Sequence, residues 1–144
     1  MSEEDEKNIA SVDSKRFRVE PGGQPVLVGG RCGHCGCVAW SVRAMCPRCW
    51  AIDGQEEFAL PAKGALYSMT AVQRAQNGYR GPYAVGVVDL PGGVRVFGRI
   101  HWPEGSRWRA GAEMELFAER LDFDGDVPSM WVPAFRPSEV PGHA

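Results

Sequence analysis

The sequence predicts an all-β protein made of a small metal-stapled ribbon followed by a five-stranded barrel. Three observations predict it. Two Cys-x2-Cys pairs, Cys32 with Cys35 and Cys46 with Cys49, are separated by ten residues. From Phe58 onward the chain falls into short alternating apolar and polar stretches, punctuated by Pro and Gly turns. No long stretch carries the 3.6-residue period of an amphipathic helix.

The 144 residues suffice for a small metal module plus a barrel. The formal net charge of −2 argues against a chain whose main work is gripping a phosphate backbone. The opening Met1-Ser2-Glu3-Glu4-Asp5-Glu6 is acidic and lacks the apolar centre of an export signal. No apolar run approaches membrane-spanning length. Metal-type cysteines without an export signal point to a reducing cytoplasm.

Taken in order, residues 1–24 read as a mostly disordered or briefly helical segment. The first dozen are expected to be unstructured, and a short helix over 14–20 would be anchored by Phe17. Pro21-Gly22-Gly23 ends it. Residues 25–57 form the ribbon, with one strand through Pro25-Val26-Leu27-Val28 and a second through Val38 to Arg43. Each Cys-x2-Cys forms a tight knuckle aiming two sulfurs at one centre, and Gly33 and Gly36 are expected to supply positive φ there. Pro47 stiffens the second knuckle. Four thiolates with no open position specify a structural zinc site in a rubredoxin-like ribbon, with Cys32, Cys35, Cys46 and Cys49 as ligands. Iron, a thioredoxin-type redox pair and two disulfides fit the spacing and context less well. Between Pro21 and Ile52 there is no Asp or Glu, whereas Arg31, Arg43 and Arg48 are present to offset the tetrathiolate charge. Cys37 is spare, and His34 is expected to point outward. A module this small relies on its metal in place of a core.

Residues 58–137 form the barrel and 138–144 a tail. Ala65 to Val72 alternates. Pro82 to Leu90 is a second strand, turned by Pro91-Gly92-Gly93 into Val94 to Ile100, whose valines face one side and arginines the other. After a loop over 101–111, residues 112–121 are ambiguous between helix and strand, and Met114, Leu116 and Ala118 favour a strand. Ser129 to Phe135 closes the set. Five strands, the domain size and the long connection after the third fit an OB-fold. Gly86 and Gly98 mark sharp bends or close backbone approach.

Other signals have plainer readings. Asp122-Phe123-Asp124-Gly125-Asp126 resembles the start of a calcium loop, but Gly is misplaced and Pro133 stands where the closing Glu belongs. Five tryptophans suggest a base-stacking platform, yet nine Lys or Arg balance nine Asp or Glu from Phe58 to Ala144. A single-strand nucleic-acid module and a rubredoxin-like electron carrier are therefore the alternatives, not the preferred readings. No nucleophile–base set or phosphate-cradling loop stands out, so the chain is expected to do no chemistry alone.

The order of these features resembles the zinc-ribbon/OB-fold acyl-CoA-associated proteins, long catalogued as a domain of unknown function. The resemblance rests on both knuckles, Gly64-Ala65-Leu66-Tyr67-Ser68-Met69-Thr70, Pro82-Tyr83-Ala84-Val85, the glycine turn before Val94-Arg95-Val96-Phe97-Gly98, and Phe135-Arg136-Pro137. It covers about 25–137. Trp50 stands where the family usually has Gly, and Trp40 where it has a proline pair. The resemblance implies a small accessory subunit beside a thiolase-like enzyme that owns the catalytic cysteine, with acyl-CoA as ligand of the complex. Some members serve aromatic degradation, the benzoylsuccinyl-CoA thiolase type among them. Two copies of each chain would match the two-fold symmetry of thiolases. Coenzyme A phosphates would call for cations on loops, and Arg74, Arg80, Arg107 and Arg109 are the candidates. Trp102, Trp108 and Trp131 are the candidate interface anchors.

Overall fold

The computed structural model describes residues 10–11, 13–74, 81–123 and 125–139. Ten strands make up its regular structure, and no helix occurs among the described residues. The expectation of disorder in the first dozen residues lies outside the described residues, apart from Ala10 and Ser11.

The ribbon is organised around β3, Pro25–Cys32. Its first half pairs antiparallel with β2, Phe17–Val19, and its second half with β4, Val38–Trp40. The indole N–H of Trp40 donates to the Arg16 carbonyl at 3.0 Å and ties β4 to the turn before β2. Along the other edge of β3 runs β5, Gln55–Ala59, in register from Val28↔Ala59 to Cys32↔Gln55. Two of these strands correct the reading of the sequence. Residues 14–16 form a turn and Phe17–Val19 a strand where a short helix is expected. A single large apolar residue leaves nothing for a helix to bury along a second turn, whereas pairing Phe17 with Leu27 buries it. Strand β5 is unanticipated because Gln55-Glu56-Glu57-Phe58-Ala59 barely alternates. It exists because β3 offers an open row of backbone donors and acceptors.

The barrel comprises β6 Lys63–Val72, β7 Tyr83–Leu90, β8 Val94–Ile100, β9 Glu113–Leu121 and β10 Met130–Pro137. They close in the order β6-β7-β8-β10-β9-β6, with β8 and β10 parallel and every other pair antiparallel. That closed ring is the OB-fold topology, and closure leaves no long free edge. The ambiguous stretch is strand β9, because Met114 and Leu116 alternate into the core. The short β1, Ala10–Ser11, adds parallel to β10.

The hydrophobic core crosses from barrel to ribbon. Leu66, Val88, Val96, Met114 and Phe135 fill the barrel, and Phe17, Leu27 and Leu60 join the same cluster from the ribbon side. The ribbon therefore does not rest on metal alone, as its size suggested. Its base is packed into the core of its neighbour, and only its tip depends on the knuckles. Inside the barrel, a Cβ on Gly86 would lie 2.5 Å from the Ser68 carbonyl oxygen and 2.7 Å from Cγ1 of Ile100. A Cβ on Gly98 would meet Pro133 O at 3.1 Å. Both are sites of close approach, Gly86 the tighter.

Two outcomes follow for stability. Phe17→Ala should cost roughly 3–5 kcal/mol and lower a single thermal transition shared by ribbon and barrel, measured by calorimetry; two separable transitions would contradict a shared core. Gly86→Ala should cost about 1–3 kcal/mol through overpacking, and more than Gly98→Ala in denaturant titrations.

Candidate functional site

The two knuckles repeat one backbone design. In the first, Cys32 N–H donates to Cys37 O at 2.9 Å and Gly36 N–H to Cys32 O at 2.9 Å. In the second, Cys46 N–H donates to Ala51 O at 2.9 Å and Trp50 N–H to Cys46 O at 3.0 Å. Gly36 and Trp50 are thus equivalent, and both are left-handed, at φ 77° and 67°. Glycine adopts that conformation freely, but a bulky L-residue does so at a cost of roughly 1–2 kcal/mol. Gly33 is absent from the left-handed set, contrary to expectation; its place is steric, since a Cβ there would sit 2.9 Å from Gly54 O.

These turns bring four sulfurs together. Cys32 and Cys49 Sγ lie 3.6 Å apart, as do those of Cys35 and Cys46, and all four are within 4.8 Å of one another. No disulfide forms among them. Tetrahedral coordination at Zn–S of about 2.3 Å requires S···S edges of roughly 3.8 Å, so the quartet fits. The backbone N–H groups of Arg48 and Cys49 point at Cys46 Sγ at 3.4 and 3.5 Å. Donation from Cys49 and then Arg48 pulls the Cys46 thiol down to about 6. Cys32 is lowered likewise by N–H groups of Cys35 and His34. Cys49 accepts from Ala51, yet lost solvation and the sulfurs of Cys32, Cys35 and Cys46 push it up to about 12. Backbone donors therefore ionise part of the quartet, and a dication is what lets the remaining sulfurs ionise beside it. Zinc held by these residues would supply a structural crosslink with no open coordination position.

The neighbouring candidates stand apart. Cys37 lies outside the quartet, its thiol raised by burial. His34 Nε2 faces Asp53 Oδ1 at 3.5 Å. Arg31 stacks 4.9 Å over the Phe58 ring. Asp122 accepts from Arg120 at 3.0 Å and also from the Ser129 hydroxyl, bonds that close the turn; Asp124 lies outside the described residues.

Of the arginines expected to meet coenzyme A, three fall within the described residues. Arg74 is exposed just beyond β6, and Arg107 and Arg109 are exposed on the β8–β9 connection. Arg80 lies outside the described residues. Arg109 borders a cavity of about 270 Å³ with Trp102, Glu113 and Glu139. A larger open cleft of about 740 Å³ lies between the ends of β7 and β8, lined by Met69, Tyr83, Ile100, Trp102 and Pro103 with Arg99, His101 and Arg136 at its polar side. Behind it, Arg99 Nε donates to both oxygens of Glu119 at 3.0 and 3.1 Å, and His101 bonds the same carboxylate. Burial raises Glu119, but the His101 ring and the Arg99 guanidinium outweigh it and hold the carboxyl below its ordinary range. The stability this adds is present above the ordinary carboxylate range and is lost as pH falls through the lowered value. Arg99 also stacks 4.4 Å from the Tyr83 ring. Sequence reasoning missed this cluster. Only the alternation of β8, which places Arg95 and Arg99 outward together, hinted at it.

The quartet makes a direct prediction. Cys46→Ser should lose bound zinc by elemental analysis and unfold the tip of the ribbon, since metal binding in comparable sites is worth on the order of 10 kcal/mol. Cys37→Ser should keep one zinc per chain.

Similarity to known proteins follows the same two parts. Residues 19–52 match the family described as ChsH2, rubredoxin-like zinc ribbon domain, and residues 57–118 match ChsH2, C-terminal OB-fold domain. A DUF35 domain-containing scaffold protein of Methanocaldococcus jannaschii is 31% identical over 102 residues, 69% of this chain and 72% of that protein. Benzoylsuccinyl-CoA thiolase subunit BbsA of Geobacter metallireducens is 37% identical over 105 residues, 73% of this chain and 70% of that protein. An Ltp2-ChsH2(DUF35) aldolase structure shares the fold at a TM-score of 0.61 and 23% identity, covering 79% of this chain and 86% of that chain. A ribbon with four gathered thiols and a closed OB barrel, matched in order by both domain families and by these relatives, place the protein in the DUF35 family of ChsH2-type zinc-ribbon and OB-fold proteins.

Proposed function

We propose that this chain is a non-catalytic accessory subunit of a thiolase-like acyl-CoA enzyme. It docks on the catalytic chain and helps form the site for cleavage of a β-ketoacyl-CoA, in aromatic or steroid degradation. The observation that carries the reading is the 37% identity to a protein named as a thiolase subunit, over 70% of that protein's length. The chemistry of the chain agrees with it. Four of the five cysteines are gathered in one closed quartet, and the fifth is a thiol made less acidic by burial, so none is a ready acyl acceptor. His101, the histidine nearest a cleft, is committed to Glu119.

In this reading the catalytic cysteine belongs to the partner, two copies of each chain assemble about the thiolase two-fold axis, and the complex works in the cytoplasm. No helix among the described residues is long and apolar enough to cross a membrane. Coenzyme A phosphates would be met by loop cations. Arg109, beside the Trp102 cavity, is the best placed of the described candidates, with Arg107 on the same connection and Arg74 just beyond β6.

One observation favours a second reading. Tyr67 and Phe97 are exposed on β6 and β8, where an OB-fold could stack bases. Against it, Arg95 beside Tyr67 is bound to Asp89 at 2.6 Å, which removes the free positive charge a nucleic-acid face needs.

Co-expression with the thiolase-like chain of the same organism should yield a hetero-oligomer on gel filtration and thiolytic cleavage of a β-ketoacyl-CoA that this chain lacks alone. Within that complex, Arg74→Ala with Arg109→Ala should raise KM for acyl-CoA several-fold with kcat little changed. Full activity of the large chain by itself, with no complex, would defeat the accessory reading. Salt-sensitive binding to oligonucleotides by this chain would put the second reading first.

A further inference from the structure

The tip of the ribbon carries an apolar surface that nothing among the described residues covers. Trp50 is 70% exposed, Ile52 80%, Met45 45% and Val42 43%. The bond from Cys46 N–H to Ala51 O sets Met45 and Ile52 side by side across the second knuckle, and the bond from Trp50 N–H to Cys46 O holds Trp50 at the same turn. The backbone at Trp50 is also left-handed, in the position that Gly36 fills in the first knuckle. A glycine would make this turn without strain, so the indole is held outward against the local preference of the chain. Strain of this kind, spent on an exposed aromatic, points to a use outside the knuckle itself.

Charge narrows the use. Arg43 and Arg48 are exposed beside the patch, and neither forms an ion pair among the described residues. Arg31, Arg43 and Arg48 against no acid from Pro21 to Ile52 leave +3. A zinc tetrathiolate of −2 still leaves the segment at +1. Of the four ligands Cys32 and Cys46 are buried and Cys49 is exposed, and Arg43 and Arg48 share this outward face with Cys49 and the exposed Asp53. A second copy docking by this patch about a two-fold axis would set Arg43 and Arg48 against themselves.

We propose that the Met45–Trp50–Ile52 tip is the anchor by which this chain docks on its catalytic partner, entering an apolar pocket rimmed by carboxylates. The inference rests on the accessory-subunit reading and adds the surface and the chemistry of its counterpart. The aromatic anchor is Trp50, and not Trp102 or Trp131, which pack against the core of their own chain. Trp108 is 38% exposed against the 70% of Trp50.

The test uses the full chain co-expressed with the thiolase-like chain of the same organism. Trp50→Gly should relieve the backbone, keep one zinc per chain and melt no lower than the parent, yet weaken the complex at least about tenfold. The double variant Met45→Ala, Ile52→Ala leaves the turn intact and should weaken it comparably. Arg43→Glu should slow association and flatten its salt dependence, an effect that a purely structural residue would not produce. Binding by both apolar variants within about twofold of the parent overturns the tip as anchor while leaving the accessory reading in place. Absence of any complex with the parent chain overturns both. Self-association, or binding to anionic phosphatidylserine vesicles, that is lost in Trp50→Gly while the hetero-complex persists would assign the tip to that other occupant and overturn the proposal.

Discussion

The rest of the structure depends on the burial of Phe17 and Leu27 against the barrel core. They are paired across β2 and β3, and both are almost wholly buried in the cluster that Leu66, Val88 and Phe135 fill from the barrel. Strand β3 then runs outward from that base and ends at Cys32, a member of the sulfur quartet. Core and metal are thus connected in series along one strand. The base of the ribbon is held by hydrophobic burial, which is non-directional and shared with the barrel. The tip is held by thiols on short turns, which define a shape but bury little. This division of labour explains how a ribbon of this size stays oriented on its neighbour.

Charge is distributed unequally between the two parts. On the barrel, Arg95, Arg99 and Arg136 are each spent twice, on a carboxylate and on a ring. Arg95 binds Asp89 and lies 3.9 Å from the Tyr67 ring. Arg99 binds Glu119 and stacks on Tyr83, and Arg136 binds Glu115 beneath Phe117. The exposed pairs, Arg95–Asp89 and Arg136–Glu115, contribute little to stability, typically about 0–1 kcal/mol each. Their effect is to organise a neutral aromatic exterior. The ribbon tip has the opposite character, with exposed arginines that form no ion pair among the described residues beside bare apolar side chains. The surface features suited to recognition are therefore concentrated where the fold itself is least self-sufficient.

That contrast fits a chain that supplies surface to an assembly. A closed tetrathiolate has no coordination site to lend to a substrate, and the Glu119 carboxylate is stabilised in its charged form by His101 and Arg99, which makes it a poor proton shuttle near neutral pH. Membership of the DUF35 family gives the same direction from an independent source.

What the sequence determined by itself was everything encoded by short spacing. Cys-x2-Cys places two sulfurs on one turn whatever surrounds it, so the quartet was legible, as were the alternating strands of the barrel and their closure as an OB-fold. The strand at Glu113–Leu121 followed from Met114 and Leu116 falling on one face. Tertiary structure alone decided the elements and contacts that depend on a distant partner. Strands β2 and β5 have weak patterns of their own and form because β3 presents two edges to be satisfied. Glu119 meets Arg99 and His101 from a different strand, a pairing that periodicity can aim but not assign. The sequence shows that Gly36 and Trp50 each follow the second cysteine of a pair, but only the structure shows that the indole keeps the glycine's left-handed φ and its backbone bond.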